Sequence, residues 1–155
     1  MYFHRKPITY ISDVKLRVQD LEKSIDFYQN IVGFKILNKK DRIVQLTADG
    51  ETVLLTLEQP VEITAKQPRT TGLYHFALLL PKKSDLANFI YHLSHHQVAI
   101  GASDHHVSEA IYFSDPEGNG IEVYVDRDPK HWKWQHDQVM MVTEPLRFRE
   151  LLVEG

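Results

Sequence analysis

Strict alternation of polar and apolar residues at 13–18 predicts a half-buried β-strand near the start of the chain. Three further strands are predicted at residues 34–37, 43–47 and 52–57. Between the first two, apolar residues recur at helical spacing from Asp20, a residue type favoured at helix starts, to Gly33, which suits a helix end. Asp49-Gly50 joins the last two strands and is a strong signal for a tight turn. The predicted order of elements is therefore βαβββ.

The second half of the chain repeats this order without repeating the residues. A strand at 73–80 precedes a helix that we expect Ser84 to cap, and a short strand follows at 98–100. Two apolar runs, 110–113 and 121–125, then flank a segment rich in turn-forming residues, which predicts a β-hairpin. Two units that each leave one sheet face uncovered are expected to pair. We therefore predict an α+β fold of two paired βαβββ modules, with a curved mixed sheet inside and the helices outside.

This order divides the chain into an N-terminal lead (residues 1–9), a first module (10–59), a linker (60–71), a second module (72–127) and a C-terminal arm (128–155). The linker is polar, contains proline and shows no periodicity. The arm ends in apolar residues that no later segment covers: Leu146, Phe148, Leu151, Leu152 and Val153. An apolar patch of this kind predicts an interaction surface. A symmetric homodimer in which the arm, with Trp132 or Trp134, crosses to or lines the other subunit covers it most simply.

Composition restricts the classes of function. With 155 residues, 43% of them hydrophobic and 25% charged, the chain is typical of a soluble globular protein. It has no cysteine, so a bound metal needs His, Asp or Glu ligands. A net charge of −3 and scattered Lys and Arg residues favour neither nucleic acid nor a membrane surface as a partner. No apolar run suits a membrane span or a signal peptide, and we expect a cytoplasmic protein that acts on a small molecule.

Polar residues in the predicted strands are the candidates for chemistry. Glu122 lies among valines but on the opposite strand face, and Tyr112, ten residues earlier, shares that surface if the hairpin loop sets the register so. Asp13 and His75 occupy equivalent positions near the first strands of their modules. On paired modules, Asp13, His75 and Glu122 can converge on one cavity.

Each candidate also has a structural interpretation. A single His in a strand is more often structural than a ligand, although buried carboxylates are rare unless they are paired or metal-bound. Lys15 and Arg17 share the strand face of Asp13, so a salt-bridge network with Glu122 is an alternative to a metal site. His92 and His96 lie four residues apart on the second helix, a spacing that can bind metal, and we interpret them as solvated side chains.

Most of the chain, about residues 10–126, resembles the vicinal oxygen chelate superfamily of glyoxalases, bleomycin-resistance proteins and extradiol ring-cleaving dioxygenases. The phrase DLEKSIDFYQNIVGFKIL resembles the family's first helix and following strand, and GLYHFALLLP resembles the start of its second module. The residues His105, Tyr112, Asp115-Pro116, Gly118 and Glu122 are spaced as in the extradiol dioxygenase signature, to which this segment is similar.

The resemblance implies a set of site residues. It implies that His75 and Glu122 bind a divalent metal, and that His105 and Tyr112 act beside it as proton donors or orienting groups. The first-module ligand of the family is normally His, and the corresponding residue here is Asp13. Fe(II) is the metal that the resemblance implies first, and the harder set of one His and two carboxylates also suits Mn(II) or another divalent ion.

The function implied by the resemblance is extradiol ring cleavage of a catechol-type small aromatic substrate with dioxygen. The chain as a whole resembles the first half of two-part catechol 2,3-dioxygenase-like proteins, where a second module pair follows near Glu154. Such a pair is an alternative to the homodimer as a partner. Two other functions stay open. One is a glyoxalase-like metalloenzyme, for which the chain shows no clustered Arg pair, and the other is a non-catalytic module that binds a small ligand or a partner half.

Overall fold

The structure is a computed structural model in which residues 7, 9–67 and 69–155 are described. The chain divides into two compact units. The first comprises Met1–Gly72 together with Asp115–Asn119, and the second comprises Leu73–Ser114 together with Gly120–Gly155. Each unit contains a four-stranded mixed sheet, which confirms the predicted α+β class and the repeated βαβββ order.

The first unit consists of β1 (Val14–Arg17), α1 (Leu21–Phe27), β2 (Lys35–Lys40), β3 (Ile43–Thr47) and β4 (Leu55–Glu58). The strands lie in the order β1-β4-β3-β2, and β1 runs parallel to β4. Asp20 caps α1 as predicted, because its carboxylate accepts a hydrogen bond of 3.0 Å from the Lys23 amide. Gly33, with a φ of 89°, ends the helical segment as predicted.

Two details of the first unit differ from the sequence prediction. The helix does not stay α-helical to Gly33, because Tyr28–Val32 forms a π-helical turn. The connection at Asp49-Gly50 is a longer loop and not a two-residue turn, since Leu46 already pairs with Leu55. The Asp49 carboxylate shapes this loop by accepting hydrogen bonds from the Thr52 and Glu51 amides and the Thr47 hydroxyl, which hold the pKa of Asp49 well below its usual range.

The second unit repeats the architecture with β5 (His75–Leu79), α2 (Lys83–His95), β6 (Gly101–Asp104), β7 (Ser108–Ser114) and β8 (Gly120–Asp126). Its strands lie in the order β5-β8-β7-β6, and β5 runs parallel to β8. The predicted hairpin of β7 and β8 is confirmed. Its strands bury Ile111, Phe113, Ile121, Val123 and Val125, and α2 buries Leu86, Ala87, Ile90 and Leu93.

Two element boundaries in the second unit were predicted wrongly. Ser84 does not cap α2, since the N-cap position is Lys82 and no side chain caps the helix there. The predicted strand at 98–100 lies outside the sheet, and the paired strand begins at Gly101. Residues 97–100 instead form the connection that follows α2. Gln97 adopts a φ of 57°, and the Val98 amide donates to the Leu93 carbonyl.

The turn between β7 and β8, Asp115–Asn119, belongs to the first unit. Its Asp115 carboxylate accepts a 2.8 Å hydrogen bond from the hydroxyl of Tyr28, which is completely buried. The Glu117 carboxylate accepts hydrogen bonds from the amides of Gln19 and Asp20, just before α1. Burial of Tyr28, followed by the charge of Asp115, raises the pKa of that phenol far above its usual value. The turn therefore completes the surroundings of the first helix.

The C-terminal arm packs on its own unit. It contains the short strands β9 (Trp134–Gln135) and β10 (Gln138–Val139) and the helix α3 (Phe148–Leu152), which contacts α2. Leu146 and Leu151 are buried, so the expectation that the arm's apolar residues have nothing to pack on was wrong for these two. Phe148 and Val153 are exposed. Within the described residues, no helix has both the length and the apolar character needed to cross a membrane.

Candidate metal-binding site in the second unit

Strand register brings three of the predicted site residues together on one face of the second sheet. Tyr112 on β7 lies directly opposite Glu122 on β8, as the predicted shared surface requires. In the parallel pairing of β5 with β8, His75 lies beside Gly120 and Ala77 lies beside Glu122. Because alternate residues share a face, His75 and Glu122 project on the same side of the sheet. The opposite faces of β7 and β8 are buried.

The side chains form one continuous chain of hydrogen bonds. His75 Nε2 lies 2.9 Å from Glu122 Oε2, and the Tyr112 hydroxyl lies 2.9 Å from Glu122 Oε1. His105 Nε2 lies 2.7 Å from the Tyr112 hydroxyl, and its Nδ1 lies 2.7 Å from the Val142 carbonyl oxygen. The side chains of His75 and Glu122 are 32% and 15% exposed, so a small ligand can reach the end of this chain from solvent.

Tyr112 and His105 each have two hydrogen-bond partners in this series of contacts. A carbonyl only accepts, so His105 Nδ1 carries a proton and donates to Val142. The Tyr112 hydroxyl has one proton but two partners, His105 Nε2 and Glu122 Oε1. The hydroxyl donates to Glu122 Oε1, and His105 Nε2 is its second partner across a short contact.

The environment of Tyr112 keeps its phenol protonated. Burial of the ring raises the pKa of Tyr112 above its usual value, and the hydrogen bond to Glu122 and the charge of that carboxylate raise it further. Tyr112 is therefore a neutral hydroxyl at physiological pH. In that state it is able to donate a proton or a hydrogen bond.

Two groups at this site were missed by sequence reasoning. A Cβ on Gly120 would lie 2.9 Å from the His75 Cβ and closer still to the Tyr74 carbonyl oxygen, so only glycine allows β5 and β8 to approach at this point. In the sequence, Gly120 directly precedes Ile121, where the predicted second hairpin strand begins. That position was the available signal for a close approach of the backbone. The Val142 carbonyl, which orients His105, is a backbone group in the arm, and no residue pattern indicates it.

The His75 and Glu122 side chains fit a divalent metal. Two ligand atoms that each lie about 2.1 Å from a metal at a right angle are about 3.0 Å apart. The observed separation of 2.9 Å between Nε2 and Oε2 matches that spacing. The remaining oxygen of Glu122 is already held by Tyr112, which is the kind of supporting contact that orients a metal ligand. Within the described part of the chain, however, no three His, Cys, Asp or Glu side chains are grouped to hold one ion.

Asp13 lies in the first unit, one residue before β1, and its carboxylate accepts a 2.9 Å hydrogen bond from the Ser12 hydroxyl. Lys15 and Arg17 pair with Glu58, at 2.9 Å and 3.9 Å, and hold the pKa of Glu58 below its usual value, chiefly through the hydrogen bond from Lys15. Glu58 is therefore the carboxylate that these two cations contact in the first unit. The observed partners of Glu122 are His75 and Tyr112.

The chain belongs to the Glyoxalase/Bleomycin resistance protein/Dioxygenase superfamily, whose family model matches residues 10–123. The resemblance seen in the sequence is thereby confirmed. Two solved structures share the fold. One is a glyoxalase/dioxygenase from Nostoc punctiforme, with a TM-score of 0.63, 20% identity and coverage of 77% of this chain and 92% of that one. The other is a lactoylglutathione lyase from Agrobacterium tumefaciens, with a TM-score of 0.61, 22% identity and coverage of 83% and 100%.

Among curated relatives, a protein of Bacillus subtilis (strain 168) named catechol-2,3-dioxygenase is 45% identical over 149 residues, which span 95% of this chain and 52% of that protein. A metallothiol transferase FosB of Staphylococcus saprophyticus is 28% identical over 123 residues, spanning 76% and 77%. The chain thus spans about half the length of the Bacillus relative. These relatives are named for different reactions. The comparisons therefore support membership of the superfamily and a likeness to a protein named as a dioxygenase, and they do not specify a substrate.

Proposed function

We propose that the second unit binds a divalent metal through His75 and Glu122, and that the protein is an extradiol ring-cleaving dioxygenase acting on a catechol-type substrate. The observation that carries the proposal is the unbroken chain of contacts from His75 through Glu122 and Tyr112 to His105. The 45% identity to a protein named catechol-2,3-dioxygenase supports the reaction type. Fe(II) is the metal that this reaction favours, and Mn(II) is the alternative.

The bound metal would supply the Lewis acidity and redox chemistry for a catechol and dioxygen. The chain's own residues provide binding and proton control. His75 and Glu122 would hold the ion, with the neutral Nε2 nitrogen and a carboxylate oxygen as the ligand atoms. Tyr112 holds the Glu122 carboxylate in place and can donate a hydrogen bond to a substrate oxygen. His105, whose Nε2 lies 2.7 Å from the Tyr112 hydroxyl, would orient that hydroxyl, while the Val142 carbonyl keeps the imidazole oriented.

Metal content tests the proposal directly. The protein would be loaded anaerobically with Fe(II), desalted, and assayed for bound iron and for the yellow ring-opened product of catechol under air. His75→Ala and Glu122→Ala should each lower iron affinity by about tenfold or more and abolish the product. Glu58→Ala is a matched control, because it removes a carboxylate of the first sheet that pairs with Lys15 and should change neither readout. Unchanged iron stoichiometry in both site variants would contradict the proposal.

We further propose Asp13 as the third ligand, since it stands where the family resemblance implies a His. Replacing it by His should shift metal selectivity from Mn(II) towards Fe(II) or Zn(II), because imidazole suits those ions better than a carboxylate does. Competition between Mn(II) and Fe(II) measures the shift. An identical preference before and after the change would remove Asp13 from the ligand set.

A second candidate function is a non-catalytic module that binds a small ligand or a partner half. It is favoured by one observation, the grouping of only two potential ligands, His75 and Glu122, within the described residues. Metal-loaded protein that binds catechol but yields no ring-opened product would support this function over the enzyme.

A further inference from the structure

A second group of histidines lies at the C-terminal end of α2, away from the residues assigned above. His92 and His96 are four residues apart, and the centres of their rings are 4.5 Å apart. His95, between them in sequence, has its ring centre 5.8 Å from that of His96. Residues at i and i+4 lie on the same side of a helix, one turn apart, so two such histidines are able to bind one ion together.

The separation of the two ring centres is compatible with a shared metal. A metal bound at about 2 Å from an imidazole nitrogen lies about 3.2 Å from the ring centre, so two rings at a right angle around it have centres about 4.5 Å apart. The observed separation equals this value without any movement of the helix. The rings are inclined to each other by 52°.

Two neighbours favour this arrangement. Phe89, one turn earlier on α2, stacks on the His92 ring with an interplanar angle of 19° and a centroid distance of 6.1 Å, which limits the rotamers of that imidazole. His96 is the C-cap residue of α2, where the partial negative charge of the helix end favours a cation. His92 is half-buried and His96 is exposed, so the pair is open to solvent on one side.

We propose that His92 and His96 form a second metal site that takes a borderline transition ion, Cu(II), Zn(II) or Ni(II), with water in the remaining positions. Imidazole pairs favour these ions over Mg(II) and Mn(II), and Cu(II) should bind most tightly of the three. A bound ion would link two side chains that lie one helical turn apart at the C-terminal end of α2. Metal binding should therefore stabilise that end of the helix. No third His, Cys, Asp or Glu is grouped with the pair in the described chain, which makes this a weaker, two-ligand site.

The test uses the Glu122→Ala protein, so that the proposed catalytic site is disabled and cannot supply the signal. Titration with Cu(II), followed by calorimetry, should give one equivalent of binding and a raised thermal midpoint, because an ion that binds only the folded state stabilises it. His92→Gln and His96→Gln in this background should each weaken binding by about tenfold or more. His95→Gln, in the same helical turn, should leave binding within about twofold.

Circular dichroism of each variant establishes that α2 is still folded, and each thermal midpoint with metal is compared with that of the same protein without metal. Binding that is equally tight in the His92→Gln and His96→Gln proteins would overturn the site, as would the absence of saturable Cu(II) binding in the Glu122→Ala protein. Failure of iron binding at His75 and Glu122 would leave this result unaffected, since neither residue is needed for it.

Discussion

At the scale of single residues, Tyr112 is the centre of the proposed chemistry, because its hydroxyl touches both His105 and Glu122. Tyr112→Phe keeps the ring and removes only that hydroxyl. We expect kcat for ring cleavage to fall by about 10² or more, the range typical of a general acid, while iron stoichiometry stays unchanged.

Single-turnover kinetics and iron content measure the two quantities separately. Tyr91→Phe is the control, since it removes a phenol hydroxyl that donates to the Leu152 carbonyl on the outside of the same unit. A Tyr112→Phe protein with full activity would show that the hydroxyl only supports the fold.

Gly120 is a second residue that determines the geometry of the site, because a side chain larger than hydrogen would collide with β5. Gly120→Ala would place a methyl group 2.9 Å from the His75 Cβ, against a backbone that cannot yield cheaply. We expect a loss of about 1–3 kcal/mol in the free energy of unfolding, together with weaker metal binding as His75 is displaced from Glu122.

Urea denaturation measures the stability, and Gly101→Ala is a matched control. A Cβ on Gly101 would meet the Tyr112 Cβ at 3.9 Å, an ordinary contact, in the same sheet. Equal stability of the two variants would mean that β5 and β8 can separate without cost.

Sequence reasoning located the side chains of the site and missed the backbone around them. The period-two alternation predicted that Tyr112 and Glu122 share a strand face if the hairpin loop sets the register so, and the register of β7 with β8 confirms it. Neither the Val142 carbonyl nor the close approach at Gly120 has a residue pattern of its own. Both arise from how distant segments meet, which local periodicity does not encode.

At the scale of elements, an ion network ties the edge strand β6, the hairpin and the start of α2 together. Arg127 donates two hydrogen bonds to Asp104, at 2.8 and 2.7 Å, and a third to Glu109, at 2.6 Å. Lys83, at the start of α2, also donates to Glu109. The second oxygen of Glu109 is buried and has no hydrogen-bond partner among the described residues, so this carboxylate depends on the two cations.

Arg127→Ala should therefore cost about 3 kcal/mol in the free energy of unfolding near neutral pH, because two buried carboxylates lose their main partner. Burial alone would raise the pKa of Asp104, but the hydrogen bonds from Arg127 and the His106 amide outweigh it and hold this pKa below the usual range. A lowered pKa in the folded state contributes stability above the unfolded value of about 3.9, and this contribution is lost as the pH falls through the folded value.

The difference between parent and Arg127→Ala proteins should accordingly shrink below about pH 4, as seen by urea denaturation from pH 7 to pH 3. Arg147→Ala removes an exposed pair with Glu150, in which both side chains are more than 70% exposed, and should change stability by under about 1 kcal/mol at any pH. A pH-independent loss in the Arg127 variant would mean that its packing, and not its charge, stabilises the unit.

The elements themselves were predicted well where they are periodic and poorly where they begin and end. β3 has its predicted bounds, whereas β6 was placed three residues too early because the apolar residues at 98–100 leave the helix rather than pair. The π-helical turn at Tyr28–Val32 adds a wide turn that helical spacing cannot distinguish from an α-helix. The cap at Ser84 failed because Lys82 already takes the N-cap position.

At the scale of the whole molecule, the homodimer remains a prediction. The arm contacts its own unit through the Asp104–Glu144 bridge and through α3, yet Trp134 is 61% exposed and Met141 is 60% exposed. We expect sedimentation at micromolar concentration to give a species of twice the 18.1 kDa chain mass.

Trp134→Ser should weaken this dimer by about tenfold or more, since exposed tryptophans are frequent anchors of interfaces. Val61→Ser, at an 85% exposed apolar position in the linker, is the control and should leave it intact. A single 18 kDa species in the parent protein would mean that the arm serves only its own unit.

The assignment of the turn Asp115–Asn119 to the first unit has a consequence for biosynthesis. When residues 1–72 have left the ribosome, the buried Tyr28 hydroxyl and the Gln19 and Asp20 amides still lack Asp115 and Glu117. These partners arrive only after residues 73–119 have been translated, which takes roughly 2–10 s at 5–20 residues per second. The first unit thus lacks part of its own hydrogen bonding until the turn that follows β7 has been translated.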